Sequence, residues 1–459
     1  MTYYLDPFGC VKNQVDAENM MASLNRAGWT AAENADDADL IVVNSCGFIE
    51  SAKKESINAV LSWRKLYPGK KILLAGCLAQ RYSKELAGEL SEADGFFGTE
   101  DLSGIVRAAE ETMQLAPDAG RKKPVRRNKD NKDEGQVHGS EGSRPLLSPP
   151  GMAYVKISEG CDNRCSFCAI PLIRGGIKSR KPEEIVEECK ALLSRGIKEL
   201  CLIAQDSGSY GKDLAAGAGQ AEDSELPALM EELSRLKGSF RVRLLYIHPD
   251  HFPLPILDIM ERDSRFIPYF DVPFQHGSEK ILKAMNRKGS AKTYLDLIKT
   301  IRSRFPDAVL RSTFLTGFPG ETEEDFAQLL DFQKKARLDW VGCFAFSREE
   351  GTAAYNMKGR VAKKTAEERK RLVEEKQVKI SEKQMDRFTG RTFDVLVEEK
   401  FSSDNNTEEE NLYLGRLPCQ APEVDGAAVI FSPRPLELGA MIPCRVAARA
   451  GFDLEVRPL

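Results

Sequence analysis

The stretch Tyr154-Val155-Lys156-Ile157-Ser158-Glu159-Gly160-Cys161-Asp162-Asn163-Arg164-Cys165-Ser166-Phe167-Cys168 joins a β-like apolar run to three cysteines spaced CxxxCxxC. A structural zinc site takes four protein ligands, and with no fourth nearby Cys161, Cys165 and Cys168 would leave it incomplete. Compact cysteine loops also hold [4Fe–4S] clusters. Three thiolates for four irons leave one iron open to a small molecule, so the spacing points to a cluster with a free coordination position at the end of a strand.

Working outward, the 459 residues exceed what one core organises and imply two to four domains. The formal charge of −4 favours no partner of either sign. Met1-Thr2-Tyr3-Tyr4 runs into Asp6 with neither the basic nor the apolar segment of an export signal. No apolar run approaches the roughly 18 residues of a membrane span. The expectation is a cytoplasmic protein with no membrane association, in which 11 cysteines serve metal or redox chemistry before disulfides.

The pattern predicts an α/β fold in three parts. Residues 1–115 alternate strand-like runs (2–5, 40–43, 71–75) with amphipathic helices (15–27, 51–66), a small parallel α/β domain. Residues 116–150, with the basic run 121–127, lack apolar periodicity and read as a mobile linker whose charge is solvated. Residues 151–387 carry six strand-like runs (153–157, 199–203, 241–246, 269–272, 309–315, 341–346) with helical patterns between most of them, as in a partial (β/α)6 barrel, followed by a charged connector helix over 361–387. Residues 388–459 hold five short strands (393–397, 411–414, 427–431, 441–447, 452–456), a small antiparallel β-barrel of the OB-like sort.

Cys10, Cys46 and Cys77 each follow one of the three predicted N-terminal strands. The carboxyl ends of parallel strands face one crevice, so three thiols more than thirty residues apart converge. This predicts a second three-cysteine cluster with an open iron. Cys189, Cys201, Cys343, Cys419 and Cys444 show no such convergence and are read as packing residues.

The CxxxCxxC loop with Phe167 before its last cysteine resembles the signature of the radical-SAM superfamily. Further stretches carry a wider likeness: Phe8-Gly9-Cys10-Val11-Lys12-Asn13-Gln14-Val15-Asp16, Asn44-Ser45-Cys46-Gly47-Phe48-Ile49-Glu50-Ser51-Ala52-Lys53, Leu310-Arg311-Ser312-Thr313-Phe314, Gly317-Phe318-Pro319-Gly320-Glu321-Thr322 and Ala421-Pro422-Glu423-Val424-Asp425-Gly426. With them the chain resembles the methylthiotransferases along nearly its whole length, with a C-terminal TRAM domain, and most of all the ribosomal-protein branch of the RimO type. His248 in Tyr246-Ile247-His248-Pro249 stands where relatives often have Tyr, and Val11-Lys12-Asn13 replaces the Gln-Met-Asn of tRNA-modifying relatives.

The resemblance implies two [4Fe–4S] clusters and S-adenosyl-L-methionine (SAM), with Cys161, Cys165 and Cys168 as the catalytic ligand set that cleaves SAM reductively. It implies that Cys10, Cys46 and Cys77 hold sulfur, and that the product is a methylthio group on the β-carbon of an aspartate in small-subunit ribosomal protein twelve. An electron donor such as a flavodoxin or ferredoxin and a possible sulfur carrier come with that chemistry. Phe167 is expected near the adenine. Strand-end positions draw attention to Gln205, Asp206, Gln275, His276, Arg311 and Thr313, with a binding and a purely structural role both open for Gln275 and His276. The alternative substrate is a tRNA adenosine derivative. Residues 388–459 carry seven Lys and Arg against twelve Asp and Glu, a balance of −5 concentrated at Glu408, Glu409 and Glu410. An acidic barrel suits a basic protein better than RNA phosphate.

Overall fold

A computed structural model describes residues 1–114, 144–214, 223–401 and 411–459. Most of the expected linker, its basic run, and Glu408, Glu409 and Glu410 lie outside the described residues. The end of that segment is packed: Arg144 is buried and pairs with Glu18 of the N-terminal domain and, at 2.8 Å, with Glu188 of the central one.

The N-terminal sheet has five parallel strands in the order Thr30–Ala31, Thr2–Pro7, Leu40–Ser45, Lys71–Gly76, Gly95–Phe97. Its two edge strands span two and three residues, too few for any periodicity to show in the sequence. Leu40–Ser45 is buried at every position because elements pack on both faces. Chain direction across the sheet reverses between Thr2–Pro7 and Leu40–Ser45, the topological switch at which open sheets bind ligands.

Six parallel strands form the central domain in two hydrogen-bonded groups: Arg241–Leu244, Glu199–Ile203 and Met152–Lys156, then Tyr269–Asp271, Val309–Thr316 and Trp340–Ala345. Backbone bonds from Ile267 N to Val242 O and from Ile247 N to Asp271 O, both 2.9 Å, join the groups into an open barrel running in sequence order. The third strand stops at Leu244, short of the predicted 246, because Tyr246 has φ 63° and leaves the extended conformation. Alternate residues part company: Ala153, Val155, Leu200 and Leu202 pack under the helices, while Met152, Tyr154, Cys201 and Ile203 share a core with the C-terminal domain. The helix Lys363–Met385 is charged yet not isolated. It buries Ala366, Arg369, Val373, Gln377, Ser381 and Met385, a stripe at helical spacing, against the last strand.

The C-terminal domain closes as Thr392–Lys400, Asn411–Arg416, Ala428–Ser432, Asp453–Pro458, Met441–Ala450. A wholly antiparallel barrel, as expected from the sequence, is impossible with five strands, since directions around a ring alternate only for an even number. The pair Ala428–Ser432 with Asp453–Pro458 is accordingly parallel. This barrel seals the amino-terminal end of the central one. Glu199, fully buried, faces Arg243 at 3.0 Å, Arg416 at 2.5 Å and Arg241, so one acid from a central strand gathers three guanidiniums, one of them from the C-terminal barrel. Tyr269 Oη donates to Asp425 at 2.6 Å, and Trp340 Nε1 to Cys419 O at 3.2 Å.

Glu199→Gln removes the only acid among the described residues that is directly paired with Arg241 and Arg243. Leaving buried charge uncompensated costs about 3–5 kcal/mol, so the variant's urea midpoint should fall well below the parent's, whereas Asp386→Asn at the exposed Arg449 pair should leave it unchanged. Equal midpoints for Glu199→Gln and parent would show that the seal does not depend on this cluster.

Candidate functional site

Cys161, Cys165 and Cys168 follow the first central strand and are each half-buried. Their loop is held from both sides. Cys161 N donates to Gly175 O and Cys168 N to Cys165 O (3.1 and 3.0 Å). Ser166 is pinned through its N–H to Met285 O (3.0 Å) and its hydroxyl to Ala284 O (2.8 Å). Burial, and for Cys161 also Asp206 nearby, pushes the Cys161 and Cys168 thiols up to about 12. A thiolate here needs a compensating cation, which a bound iron supplies. Among the described residues no group of three His, Cys, Asp or Glu side chains closes on a single ion. A cubane asks for no such closure, because each thiolate binds a different iron. Three thiols on one braced loop fit that group.

The second triad converges as the strand order requires. Cys10 and Cys46 follow the two strands at the switch, and Cys77 follows the next. Contact is close: a Cβ on Gly47 would lie 2.7 Å from Cys77 O, and one on Gly9 would lie 3.1 Å from Cys46 Cβ. Cys10 is the N-cap of the helix Val11–Arg26 and Cys77 the first residue of Cys77–Glu89. Helix N-termini favour thiolate. Burial nonetheless pushes Cys77 up to about 12.

The second triad borders the segment that follows the first. Cys77 packs against Ala169 and Ile173, just past Cys168. Arg174 reaches from the same segment into the N-terminal domain: Nη1 donates to Asp16 (2.6 Å), and Nη2 to Asn13 Oδ1 (2.5 Å) and to Cys77 Sγ (3.0 Å). Arg174 also pairs with Glu159 at 3.1 Å, and Lys156 joins Asp16 at 2.5 Å and Glu159 at 2.6 Å. All four charged side chains are buried. Burial raises the Glu159 carboxyl, but Arg174 and Lys156 outweigh it and hold the group at about 2. Lys12, beside this network, sits 2.9 Å above the Tyr246 ring and is lowered to about 8 by burial. A second bridge joins the domains at Glu349, which takes Lys53 (2.8 Å) and Arg81 (2.7 Å).

The predicted site residues divide. Arg311 and Thr313 lie two apart on one strand and are half-buried on the same side. Arg311 pairs with Asp271 (3.1 Å) and faces Asp425 of the C-terminal barrel (3.7 Å). Gln205 donates to Glu159 (2.7 Å) and keeps a buried Oε1 with no hydrogen-bond partner among the described residues, an acceptor available to a ligand. Asp206 is consumed by the scaffold, accepting from His248 N, Gly208 N, Ser209 and Asn163. His276 is fully buried, its Nδ1 accepting from Ser278 N (2.9 Å), and Gln275 holds φ 70° in a bridge to Phe314. Phe167 packs with Ile281, Met285, Leu315, Phe318 and Ala354. Sequence reasoning missed Lys12, Asn13, Asp16, Lys156, Glu159, Arg174 and also His248, whose Nε2 lies 3.9 Å from Cys165 Sγ. A usable signal existed in the helix Val11–Arg26. Its polar Lys12, Asn13 and Asp16 share one face at helical spacing beside a cysteine.

Residues 2–98 match the uncharacterized protein family UPF0004, residues 155–332 the radical SAM superfamily and residues 389–458 the TRAM domain. Curated relatives named ribosomal protein uS12 methylthiotransferase RimO align end to end. The protein from Treponema denticola is 47% identical, covering 98% of this chain and 99% of its own; that from Clostridioides difficile is 38% identical, covering 98% and 97%. The Aquifex aeolicus protein is 38% identical over 98% and 95%. Among solved structures, the radical S-adenosylmethionine methyltransferase TsrM from Kitasatospora setae, with cobalamin and a [4Fe-4S] cluster bound, superposes with a TM-score of 0.55 at 14% identity, covering 77% of this chain and 73% of that one, a likeness of fold.

A carboxyl held near 2 in the folded chain adds stability that is present above its ordinary value of 4.5 and lost as pH falls toward 2. The urea midpoint of the cluster-free parent should therefore exceed that of Glu159→Gln at pH 7, with the gap narrowing steadily below about 4.5. A pH-independent gap would remove Glu159 from the charge network.

Proposed function

The chain belongs to the ribosomal protein uS12 methylthiotransferase RimO family and is a radical-SAM methylthiotransferase, and from that premise we propose that it places a methylthio group on the β-carbon of an aspartate in ribosomal protein uS12. One [4Fe–4S] cluster and SAM come with the radical SAM superfamily. Cys161, Cys165 and Cys168 hold that cluster, and a second sits on Cys10, Cys46 and Cys77. When bound, these groups supply a radical able to take hydrogen from an unactivated C–H bond and a sulfur to replace it.

The observation that carries this reading is the contact of Cys77 with Ala169, Ile173 and Arg174, which sets the two triads on one interdomain space. The chain's own residues bind and orient there. Gln205 Oε1 offers an acceptor at the strand ends. Arg311 and Thr313 present polar groups from the fifth strand. Lys12 over Tyr246, with the Asp16–Arg174 pair, closes the space on the N-terminal side.

A protein substrate is favoured over tRNA by the −5 balance of residues 388–459, since ribosomal proteins are basic and charge complementarity speeds docking. A flavodoxin- or ferredoxin-type donor supplies the electrons and a sulfur carrier serves the second cluster. The setting proposed is the cytoplasm. Among the described residues no helix is long and apolar enough to cross a membrane.

Anaerobically reconstituted protein should carry about eight irons. Joint replacement of Cys161, Cys165 and Cys168 by Ala should leave about half of them and stop formation of 5′-deoxyadenosine. The same change at Cys10, Cys46 and Cys77 should leave SAM cleavage intact and yield no methylthio product. Four irons in the parent would remove the second cluster.

Mass spectrometry of ribosomal proteins and of digested tRNA from a strain lacking the chain separates the substrates. Loss of the methylthio mass from uS12 is expected. Loss from tRNA alone would overturn the protein assignment.

A further inference from the structure

Arg174 stands six residues beyond Cys168, on the segment that carries the SAM-side triad, yet its Nη2 donates to the sulfur of Cys77, a ligand of the other triad, at 3.0 Å. The same nitrogen donates to Asn13 Oδ1 at 2.5 Å, and Asn13 Nδ2 in turn donates to Ser45 O at 2.8 Å, the residue before Cys46. Nη1 is anchored on Asp16 and Glu159. The guanidinium is 2% exposed, cannot lose its proton, and is fixed as a planar fork by four partners. No comparable donor from the N-terminal domain reaches back to Cys161, Cys165 or Cys168 among the described residues.

We propose that Arg174 is a positioning residue of the N-terminal cluster: it locks the Cys77 ligand to the SAM-side loop and, by an N–H···S bond to the ligand sulfur, raises that cluster's reduction potential. This role rests on the reading of Cys10, Cys46 and Cys77 as a cluster site. Hydrogen bonds to cluster sulfurs and local charge are the levers by which a protein sets such potentials, because both favour the more negative, reduced state. Arg174 and Lys156 are balanced by Asp16 and Glu159, so the network is neutral as a whole and its directed N–H is what Cys77 receives. The geometry also gives the two loops one shared brace. A shift of either loop pulls on Arg174, which works alongside the Lys156–Asp16 pair and the Glu349 bridge to hold the two loops in register.

The test uses the full chain with Cys161, Cys165 and Cys168 replaced by Ala, which isolates the N-terminal cluster, and follows its reduction by an EPR-monitored potential titration. In that background the double variant Arg174→Gln with Asp16→Asn keeps the network neutral and should move the midpoint to a more negative potential. Arg174→Lys, which keeps the charge but loses the fork, should move it the same way by less, and it stands as the measurement if the double variant does not fold. A cluster that binds in full with an unchanged midpoint in these variants overturns the role of Arg174 alone. A background that binds no iron at all overturns the second cluster and this role with it.

Discussion

The constraint on which the rest depends is the burial of four charges between two domains. Asp16 lies on the N-terminal helix; Lys156, Glu159 and Arg174 belong to the central domain. None faces water. Each would cost several kcal/mol if left without its partners, so the interface tolerates essentially one docking geometry. That geometry brings Cys77 against Ala169, next to Cys168, and thereby puts two cysteine triads from separate sheets beside one another. A dry apolar interface of the same area could slide by a side chain's width. A set of directional charge-assisted bonds cannot.

The opposite end of the central barrel is also closed by buried ion pairs, there with bases outnumbering the acid they share. One acid, Glu199, gathers Arg241, Arg243 and Arg416. A six-stranded open barrel has an inner face that side chains alone do not fill, and the C-terminal barrel supplies what is missing: Val395, Val397, Tyr413 and Leu417 join Met152, Tyr154, Cys201 and Ile203 in one core. Asp425 reaches further in, to Tyr269 and Arg311. The C-terminal domain is thus part of the wall of the central one as well as a surface for partners.

Much of this was open to reading in the residues. Hydrophobic alternation locates all six central strands and the five of the barrel, and the position of Cys10, Cys46 and Cys77 after successive strands implies their convergence. The edge strands Thr30–Ala31 and Gly95–Phe97 were out of reach because two or three residues carry no period. Asp206 and His276 looked like site residues by the strand-end rule. The Asp206 carboxylate is taken up by His248 N, Gly208 N, Ser209 and Asn163, whereas His276 is held through Nδ1 and keeps a buried Nε2 without a hydrogen-bond partner among the described residues; a strand end offers both scaffold and ligand positions.

The amino-acid sequence by itself determined the three-part α/β architecture and the placement of the two cysteine triads. These follow from local spacing: the two-residue repeat of strands, the 3.6-residue repeat of helices, and ligands confined to one loop or to the ends of successive strands. Only the tertiary structure decided that the triads share a space, that Arg174 donates to Cys77, that Lys12 lies on Tyr246 and that Glu199 carries the seal. Each of these joins residues distant in the chain through directional contacts between buried polar groups. No periodicity encodes a partner 97 residues away, as Arg174 is from Cys77. The folded geometry alone supplies it.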